Sequence, residues 1–182
     1  SGGGGGSGVW GISDATGAYT YYATLTLALA AASSGDTIEL FANVTETGAV
    51  TVNLVDGVII NGNGHTYILD NVSADSCFTP TTTYGYYRIY NLTAKRVNGT
   101  GSCAVFMGKT NSNAIGLHLI CDGSTFINES SYYTTAGTAG SYGLSVYNLY
   151  SESNGNGIAG REVTNCQSWS TGGYGIFAQT GT

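Results

Sequence analysis

The chain has 182 residues, of which 42% are apolar, and this length is sufficient for one domain with a hydrophobic core. Charged residues make up only 9%, and the net charge is −6 with five lysines and arginines. This balance excludes nucleic acid as a partner, because no basic surface can form, and it disfavours polyanionic substrates unless metal ions intervene. No apolar stretch reaches the ~18 residues of a membrane span, so none is expected.

Hydroxyl and amide side chains, rather than charge, keep this chain in solution. The sequence has 18 serines, 24 threonines, 14 asparagines and 14 tyrosines. The apolar share argues against disorder. Together these features are typical of extracellular β-solenoids, surface layers and virion fibres, so we expect an extracellular protein of a cell surface or a virion surface.

The first 33 residues divide into three segments. Residues 1–8 are a glycine-rich leader or linker, and a start without methionine indicates a processed or truncated chain. Residues 9–22 are an aromatic lead-in that we expect to cover an open end of the fold or to contact a partner. Residues 23–33 predict a short helix, because alanine and leucine favour helices and Gly35 follows. The expected buried face of this helix is Leu25, Leu29 and Ala32.

A strand that ends in asparagine recurs along the rest of the chain. The pattern at 59–62, Ile-Ile-Asn-Gly, returns with changes at 89–92, 146–149 and 163–166, and weaker copies start at 38 and 117. The starts are 21, 30, 28, 29 and 17 residues apart. Variable spacing in this range predicts the coils of a solenoid with insertions at its corners. A hairpin is the alternative for the 56–70 unit alone.

Asparagines at the corners are expected to stack on one another. Parallel coils lie about 4.8 Å apart, so each amide can accept a hydrogen bond from one neighbour and donate one to the next. Such a stack satisfies backbone and side-chain groups at bends that have no strand partner. The four predicted members are Asn61, Asn91, Asn148 and Asn165.

Two stretches, 25–40 and 57–66, carry a family resemblance. They contain Ala-Ala-Ala-Ser-Ser-Gly-Asp-Thr-Ile and Gly-Val-Ile-Ile-Asn-Gly-Asn-Gly-His-Thr, and they resemble the opening of pectin-lyase-like right-handed parallel β-helices. The resemblance implies an all-β chain, with a right-handed single-stranded parallel β-helix over residues 23–182 and a short N-terminal capping helix. The family includes pectate lyases, hydrolases, phage tailspikes and surface adhesins, so the resemblance does not decide activity.

The catalytic patterns of this family are not matched. Arg88, Arg96 and Arg161 lack the acidic cluster that would hold calcium in a lyase, and paired aspartates with Gly-His-Gly are also missing. The carboxylates that could serve a glycosidase are Asp122 with Glu152, or Asp70 with Asp75, and neither pair forms a motif. We therefore assign no catalytic residue, no metal and no cofactor.

Two exposed columns of side chains follow from the predicted coil register. Tyr90, His118 and Tyr147 would form an aromatic ladder, either a platform for sugar rings or, as we favour, a means of stabilising the sheet. A second column contains Lys95, Glu152 and Trp169, together with His65 and Gly123. It predicts either a polar groove or, more simply, ordinary surface side chains.

Cysteines and glycosylation sequons complete the candidate sites. Cys77 and Cys103 fall at comparable places on adjacent coils, so a disulfide is expected as one option, whereas Cys121 and Cys166 are expected as buried free thiols. Asn-x-Ser/Thr sequons make four asparagines candidates for N-glycosylation: Asn43, Asn71, Asn98 and Asn128. Asn91 also lies in a sequon, but as a stacked corner residue it would be hidden.

The sequence favours a structural or adhesive module. A rigid rod would display the Tyr- and Thr-rich insertions at 74–87 and 128–141 for contact with glycans or neighbouring subunits, and self-association is expected. The alternatives are a carbohydrate-active enzyme, either a polysaccharide lyase or a tailspike-like glycosidase, and a glycan-binding domain that does not assemble.

Overall fold

The computed structural model describes residues 8–48, 53–70, 76–82, 84–99, 104–107, 116–129, 136–137 and 144–178. The chain is all-β, as predicted, with helix α1 at Leu25–Ala31. The strands in chain order are β1 Trp10–Ser13, β2 Tyr19–Tyr22, β3 Thr37–Leu40, β4 Val44–Glu46, β5 Asn53–Leu54, β6 Ile59–Asn61, β7 Thr66–Asp70, β8 Ser76–Pro80, β9 Gly85–Tyr90, β10 Thr93–Val97, β11 Ala104–Met107, β12 Leu117–Asn128, β13 Ala136–Gly137, β14 Leu144–Ser153, β15 Ile158–Gly160, β16 Glu162–Thr164, β17 Gln167–Ser170 and β18 Ile176–Ala178.

Most strand pairs are parallel, and they fall into three sets. The first set runs β3–β6–β9–β12–β14–β16 and the second runs β4–β7–β10–β12–β14–β17. The long strands β12 and β14 belong to both, so the two sets lie in one twelve-stranded sheet. The third set, β5–β8–β11–β13–β15–β18, forms a six-stranded sheet. Parallel neighbours so far apart in sequence require the chain to cross over between them.

An antiparallel hairpin lies at one edge of the large sheet. Strands β1 and β2 pair with each other, and β1 also pairs with β3. Trp10 in β1 is fully buried and its ring meets that of Tyr67 edge to face at 5.4 Å. Within the aromatic lead-in, therefore, this tryptophan belongs to the core, whereas Tyr19 and Tyr21 remain exposed.

Helix α1 is shorter than the predicted segment 23–33. It begins after Thr24, whose hydroxyl accepts a hydrogen bond from Leu27 N at 3.3 Å, and it ends at Ala31 because Ala32 is extended. The buried face consists of Leu25, Ala28 and Leu29 rather than the predicted set with Ala32, which is only half-buried.

Burial alternates along the strands, which separates a core side from an exposed side. In β7 and β10 every second residue is buried. Aromatic side chains fill much of the core, and neighbouring rings contact one another between β7, β8 and β12 through Tyr67, Phe78 and Phe126. In β14 the residue beside Phe126 is Ser151, so the core becomes polar and smaller in that direction.

The predicted alignment of the repeat units is correct between Val146 and Val163 but is shifted by one to four residues between the earlier units. Ile60, not Ile59, lies beside Ile89. Leu117 lies beside Gly85, which is four residues before Ile89. Side chains assigned to a common column from the sequence therefore need not be neighbours, since a shift of one residue reverses the face on which a side chain lies.

The insertion predicted at 74–87 is largely strand rather than an exposed loop. Strand β8 lies within it, and Cys77 and Phe78 are fully buried. Most of the second predicted insertion, 128–141, lies outside the described residues. In the part of the chain that the structure describes, no helix has the length and apolar character needed to span a membrane.

Candidate functional site

A row of bends joins the first and second sets of strands, and asparagines occupy most of it. Asn91, Asn148 and Asn165 have left-handed backbone conformations with φ of 49°, 59° and 51°. Asparagine tolerates this region better than most residues, which explains its recurrence here. Asn61 differs from the prediction, because it lies beside Tyr90 in the sheet, and the left-handed residue of that bend is Asn63 with φ 50°.

Side chains at the later bends are connected by hydrogen bonds. Asn165 Nδ2 donates to Asn148 Oδ1 at 2.9 Å, and Asn148 Nδ2 donates to Asp122 Oδ1 at 2.5 Å. The structure therefore brings together two of the four predicted stack members and continues the row with a carboxylate. Asn61 does not join this row, and its Nδ2 donates instead to Asn63 Oδ1 at 2.9 Å.

The carboxylate enters the row because β12 contains extra residues at its bend. Residues 121–123 stand opposite the single residue Asn148, between two regular parts of the β12–β14 ladder. Gly123 has φ +68°, and a β-carbon there would lie 2.5 Å from Asn91 Oδ1. Glycine thus provides both the left-handed turn and the space for the Asn91 side chain.

A groove of about 630 Å³ runs along these bends and the adjoining part of the sheet. On the sheet side, the groove is lined by three neighbouring residues of adjacent strands: Thr125 of β12, Tyr150 of β14 and Gln167 of β17. In the described part of the chain, the lining consists mostly of amide and hydroxyl groups with one aromatic ring, and its one charged residue is aspartate. The lining residues are Asp122, Gly123, Ser124, Thr125, Asn148, Leu149, Tyr150, Asn165 and Gln167.

The column next to this groove contains the predicted set Lys95, Glu152 and Trp169. Lys95 lies beside Ile127, Ile127 beside Glu152, and Glu152 beside Trp169. The residue between Lys95 and Glu152 is thus Ile127, not the predicted Gly123, and His65 is not a member. Lys95 Nζ forms an ion pair with Glu129 Oε1 at 2.7 Å, so its charge is neutralised locally.

Two aromatic residues at the groove are exposed to solvent. The indole of Trp169 is 69% exposed and Tyr150 is 39% exposed, and within the described part of the chain neither makes a ring–ring contact. Tyr150 Oη donates to Glu152 Oε1 at 3.1 Å. This hydrogen bond to a carboxylate raises the pKa of Tyr150, so its hydroxyl remains a donor. Both side chains are therefore exposed and lie outside any ring stack of the described residues.

The predicted aromatic ladder exists with one different member. Tyr86, not Tyr90, stacks on His118 with ring centroids 4.5 Å apart, and His118 stacks on Tyr147 at 6.1 Å. Tyr90 lies beside Asn61, nearer the bend. The Arg88 guanidinium lies 5.5 Å from the centroid of the Tyr86 ring.

Stacking covers both faces of the His118 ring and one face of each tyrosine, and Tyr86 is still 49% exposed. The planes of Tyr86 and His118 differ by 8°, and those of His118 and Tyr147 by 20°, so the three rings are nearly parallel. Tyr147 Oη donates to Glu162 Oε2 at 3.2 Å, and burial, followed by this carboxylate, raises the pKa of Tyr147. A saccharide stacks on a ring face, and His118 at the centre of the ladder has both faces covered by tyrosines, which favours sheet stabilisation as the role of the ladder.

The carboxylates considered for glycosidase chemistry are engaged separately. Asp122 accepts from Asn148, whereas Glu152 accepts from Tyr150. Asp75, the predicted partner of Asp70, lies outside the described residues. Within the described ranges no three histidine, cysteine, aspartate or glutamate side chains come together as a metal site requires.

The predicted disulfide remains a prediction, because Cys103 lies outside the described residues. Cys77 is buried, and its Sγ donates to Lys95 O at 3.7 Å. Cys121 and Cys166 are free thiols, the first buried and the second half-buried, and burial raises the pKa of both. Both are therefore held as neutral thiols with low reactivity.

The sequon asparagines differ in accessibility. Asn43 and Asn98 are exposed, and Asn71 lies outside the described residues. Asn128 was predicted as a glycosylation site, but it lies on the core side of β12 with 1% of its surface exposed, so the folded chain has no room for a glycan there. Asn91 was expected to be hidden, yet it is exposed.

Comparison of the chain with protein-family models, with curated protein sequences and with solved structures finds no match. The site must therefore be interpreted from its own chemistry. Its central residues, Tyr150 and Gln167, were not singled out from the sequence. The signal that could have found them is the Asn-Leu-Tyr and Asn-Cys-Gln spacing, which places each of them two residues after a corner asparagine.

Proposed function

We propose that this chain is a structural and adhesive surface module, built as a right-handed single-stranded parallel β-helix, that binds glycans. The β-helix is supported by the order of the strands, because each successive passage of the chain adds one strand to each of the three parallel sets. Right-handedness follows from the general rule that parallel strands connected by a crossover are right-handed in about 98% of cases.

The observation that carries the glycan-binding proposal is the groove at the bends. It combines amide and hydroxyl groups in fixed columns with the exposed ring of Tyr150, and Trp169 lies in the next column. Sugars are bound by this combination, since hydroxyl groups need paired donors and acceptors while their C–H faces pack on aromatic rings. Asn148 and Asn165 are held by their own hydrogen bonds, so little ordering is needed on binding.

Charge around the groove favours a neutral saccharide. Among the described residues, Asp122 is the one charged residue that lines the groove, and no lysine or arginine does so. Lys95, two strands away from Glu152 in the neighbouring column, already pairs with Glu129. Uronates and sulfated sugars would lack a cation here and would face the Asp122 carboxylate, so repulsion disfavours them.

We place the module outside the cell, on a cell or virion surface, in contact with neighbouring copies or subunits. The support is a surface rich in hydroxyl and amide groups and a cluster of exposed rings, Tyr19, Tyr21 and Phe41, near the edge strand β2. Exposed aromatic clusters beside an unpaired strand edge are suited to contacts between subunits.

Titration with neutral oligosaccharides, followed by calorimetry or NMR, tests the proposal. A single open groove should give a dissociation constant of about 0.1–1 mM. The variants Tyr150→Ala and Gln167→Ala should each weaken binding about fivefold to tenfold, because they remove a stacking face and a hydrogen-bonding amide.

The matched control is Tyr84→Ala, which removes a tyrosine that is 62% exposed and does not line the groove. Its affinity should equal that of the unmodified chain. Equal loss in all three variants, or stronger binding of uronate oligosaccharides than of neutral ones, would show that the groove is not the site.

A further inference from the structure

Five Asn-Gly dipeptides occur in the chain. They differ in whether the backbone N–H of the glycine is fixed in a hydrogen bond. The pairs start at Asn61, Asn63, Asn98, Asn154 and Asn156. Asparagine followed by glycine is the sequence most prone to lose its side-chain amide, because glycine leaves the next backbone nitrogen unshielded. Reaction requires that nitrogen to reach the asparagine Cγ, so a glycine N–H fixed in a hydrogen bond opposes it.

Four of the five glycine amides are fixed. Gly62 N donates to Tyr90 O at 2.8 Å, and Gly64 N donates to Asn91 O at 2.7 Å. Gly155 N donates to Ser153 Oγ at 3.0 Å, and Gly157 N donates to Tyr174 O at 2.8 Å. Each of these bonds must break before the nitrogen can turn towards the asparagine side chain.

The fifth pair, Asn98-Gly99, differs from the others. Gly99 N makes no hydrogen bond to any residue that the structure describes. Asn98 is exposed, follows directly on β10, and has a left-handed backbone with φ 55°. Its side chain is restrained by one exposed hydrogen bond, in which Nδ2 donates to Asp70 Oδ1 at 2.8 Å.

We infer that Asn98 is a site of spontaneous deamidation in the folded protein, and that the other four Asn-Gly pairs are protected by the fold. The Gly99 nitrogen forms a bond to Asn98 Cγ, the Cγ–Nδ2 bond breaks, and ammonia leaves with the proton lost from the Gly99 nitrogen. Solvent water then opens the cyclic imide at either carbonyl and leaves aspartate or isoaspartate.

The product changes the contact with strand β7. Asp70 lies beside Val97 in the β7–β10 ladder, and its carboxylate accepts the Asn98 amide. After conversion the donor is replaced by a second carboxylate, so attraction becomes repulsion between like charges. A glycan on Asn98 Nδ2 would block the loss of ammonia, so glycosylation and deamidation at this residue exclude each other.

Peptide mapping by mass spectrometry after incubation of the whole chain at mildly alkaline pH measures all five sites at once. Asn98 should convert at least about fivefold faster than any other pair, because each of the others must first lose a hydrogen bond. In urea, where those bonds are absent, the five rates should become similar.

Two variants separate this site from its neighbours. Asn98→Gln should abolish the dominant conversion, since glutamine would need a larger ring, whereas Asn154→Gln should leave it unchanged. Conversion of another pair at the rate of Asn98 in the folded chain, or protection of all five pairs relative to urea, would overturn the inference.

Discussion

Glu46 connects helix α1 with strand β1 through hydrogen bonds. Its Oε1 accepts hydrogen bonds from the indole nitrogen of Trp10 at 2.9 Å and from Leu25 N at 2.8 Å. Glu46 is 6% exposed, and its Oε2 makes no hydrogen bond of ordinary geometry to any residue that the structure describes. Burial raises the pKa of Glu46 above its ordinary value, while Leu25 N, the Trp10 indole and the nearby Tyr67 hydroxyl oppose this effect more weakly.

This raised pKa predicts a pH-dependent stability. The folded chain retains a proton that the unfolded chain loses near pH 4.3, so the stabilising effect is complete below that pH and is lost as pH rises through the folded-state pKa. In the variant Glu46→Gln this loss should disappear, because the amide oxygen still accepts both hydrogen bonds and carries no charge. Thermal unfolding across the mildly acidic range measures the difference.

Glu46→Ala is the matched comparison for this test. It removes the acceptor and leaves the buried N–H groups of Trp10 and Leu25 without a partner, which should cost about 2–4 kcal/mol relative to Glu46→Gln at every pH. If Glu46→Gln is as unstable as Glu46→Ala, the charge rather than the two hydrogen bonds holds these elements together.

Gly123 permits the bend of β12. The loss of stability on its replacement has two parts, one from the left-handed backbone and one from the contact with the Asn91 side chain. Gly123→Ala forces a left-handed alanine and moves Asn91 Oδ1, whereas Gly64→Ala forces the same conformation, with φ +81°, in open space. We expect a cost of about 1–2 kcal/mol for Gly64→Ala and about 1 kcal/mol more for Gly123→Ala. Urea unfolding of both variants gives the two values.

The double variant Asn91→Ala with Gly123→Ala measures the part of the stability loss that comes from the contact between the new methyl group and the Asn91 side chain. The double variant should recover the additional cost, because the amide that meets the new methyl group is gone. A double variant whose stability equals the sum of two independent losses would mean that Asn91 and Gly123 are not coupled.

At the scale of elements, we propose that the aromatic ladder on β9, β12 and β14 stabilises the sheet and does not bind saccharide. His118 contacts rings on both sides, Tyr86 and Tyr147. The variant His118→Ala should therefore lower the free energy of unfolding by about 1–2 kcal/mol without changing saccharide affinity. Chemical denaturation and the oligosaccharide titration, applied to the same variant, provide the two measurements.

The other histidine provides the control for the ladder. His65 lies in the bend after β6 and belongs to no ring stack among the described residues. Its replacement by alanine should change stability by less than about 0.5 kcal/mol. A loss of saccharide binding in His118→Ala would move the binding site from the bend groove to the ladder.

At the scale of the whole molecule, the core is uneven. Trp10, Tyr67 and Phe78 fill the part near the first strands. Beside Phe126 on the later strands lie Ser151 and then Ser168, whose hydroxyl groups are 2.8 Å apart. Serines bury less apolar surface than aromatic residues, so the last strands contribute less hydrophobic stabilisation.

Hydrogen exchange should reveal this gradient. Backbone amides of β17 should exchange faster than those of β7 and β10, because local opening costs least where few apolar contacts form. Exchange measured by mass spectrometry on folded protein gives the comparison. Equal protection of these three strands would show that the serine-lined part opens only with the whole chain.

The all-β character and the early helix were predictable because they follow from local sequence. Alanine and leucine at 25–31 and the recurrent Ile-Ile-Asn type units carry these signals directly. The register was predicted correctly between Val146 and Val163 but not between the earlier repeat units. It depends on the extra residues 121–123 in β12, and a single misplaced residue exchanges the two faces of a strand.

The same limit explains which site residues were found from the sequence. Lys95, Glu152 and Trp169 were grouped correctly because their strands follow the bends at regular intervals. Tyr90 was placed in the ladder instead of Tyr86, since its position was counted from a repeat start that is shifted in the structure. The burial of Asn128 was missed for a related reason. A sequon does not indicate whether its asparagine lies on the buried or the exposed side of a strand.

The most direct test of glycan binding at the bends is a crystal structure of the protein with a neutral oligosaccharide. We expect a sugar ring packed on Tyr150, with its hydroxyl groups bonded to Asn148, Asn165 and Gln167. A sugar bound along Tyr86 and His118, or an empty groove at saturating ligand in a crystal that leaves the groove open to solvent, would contradict the account.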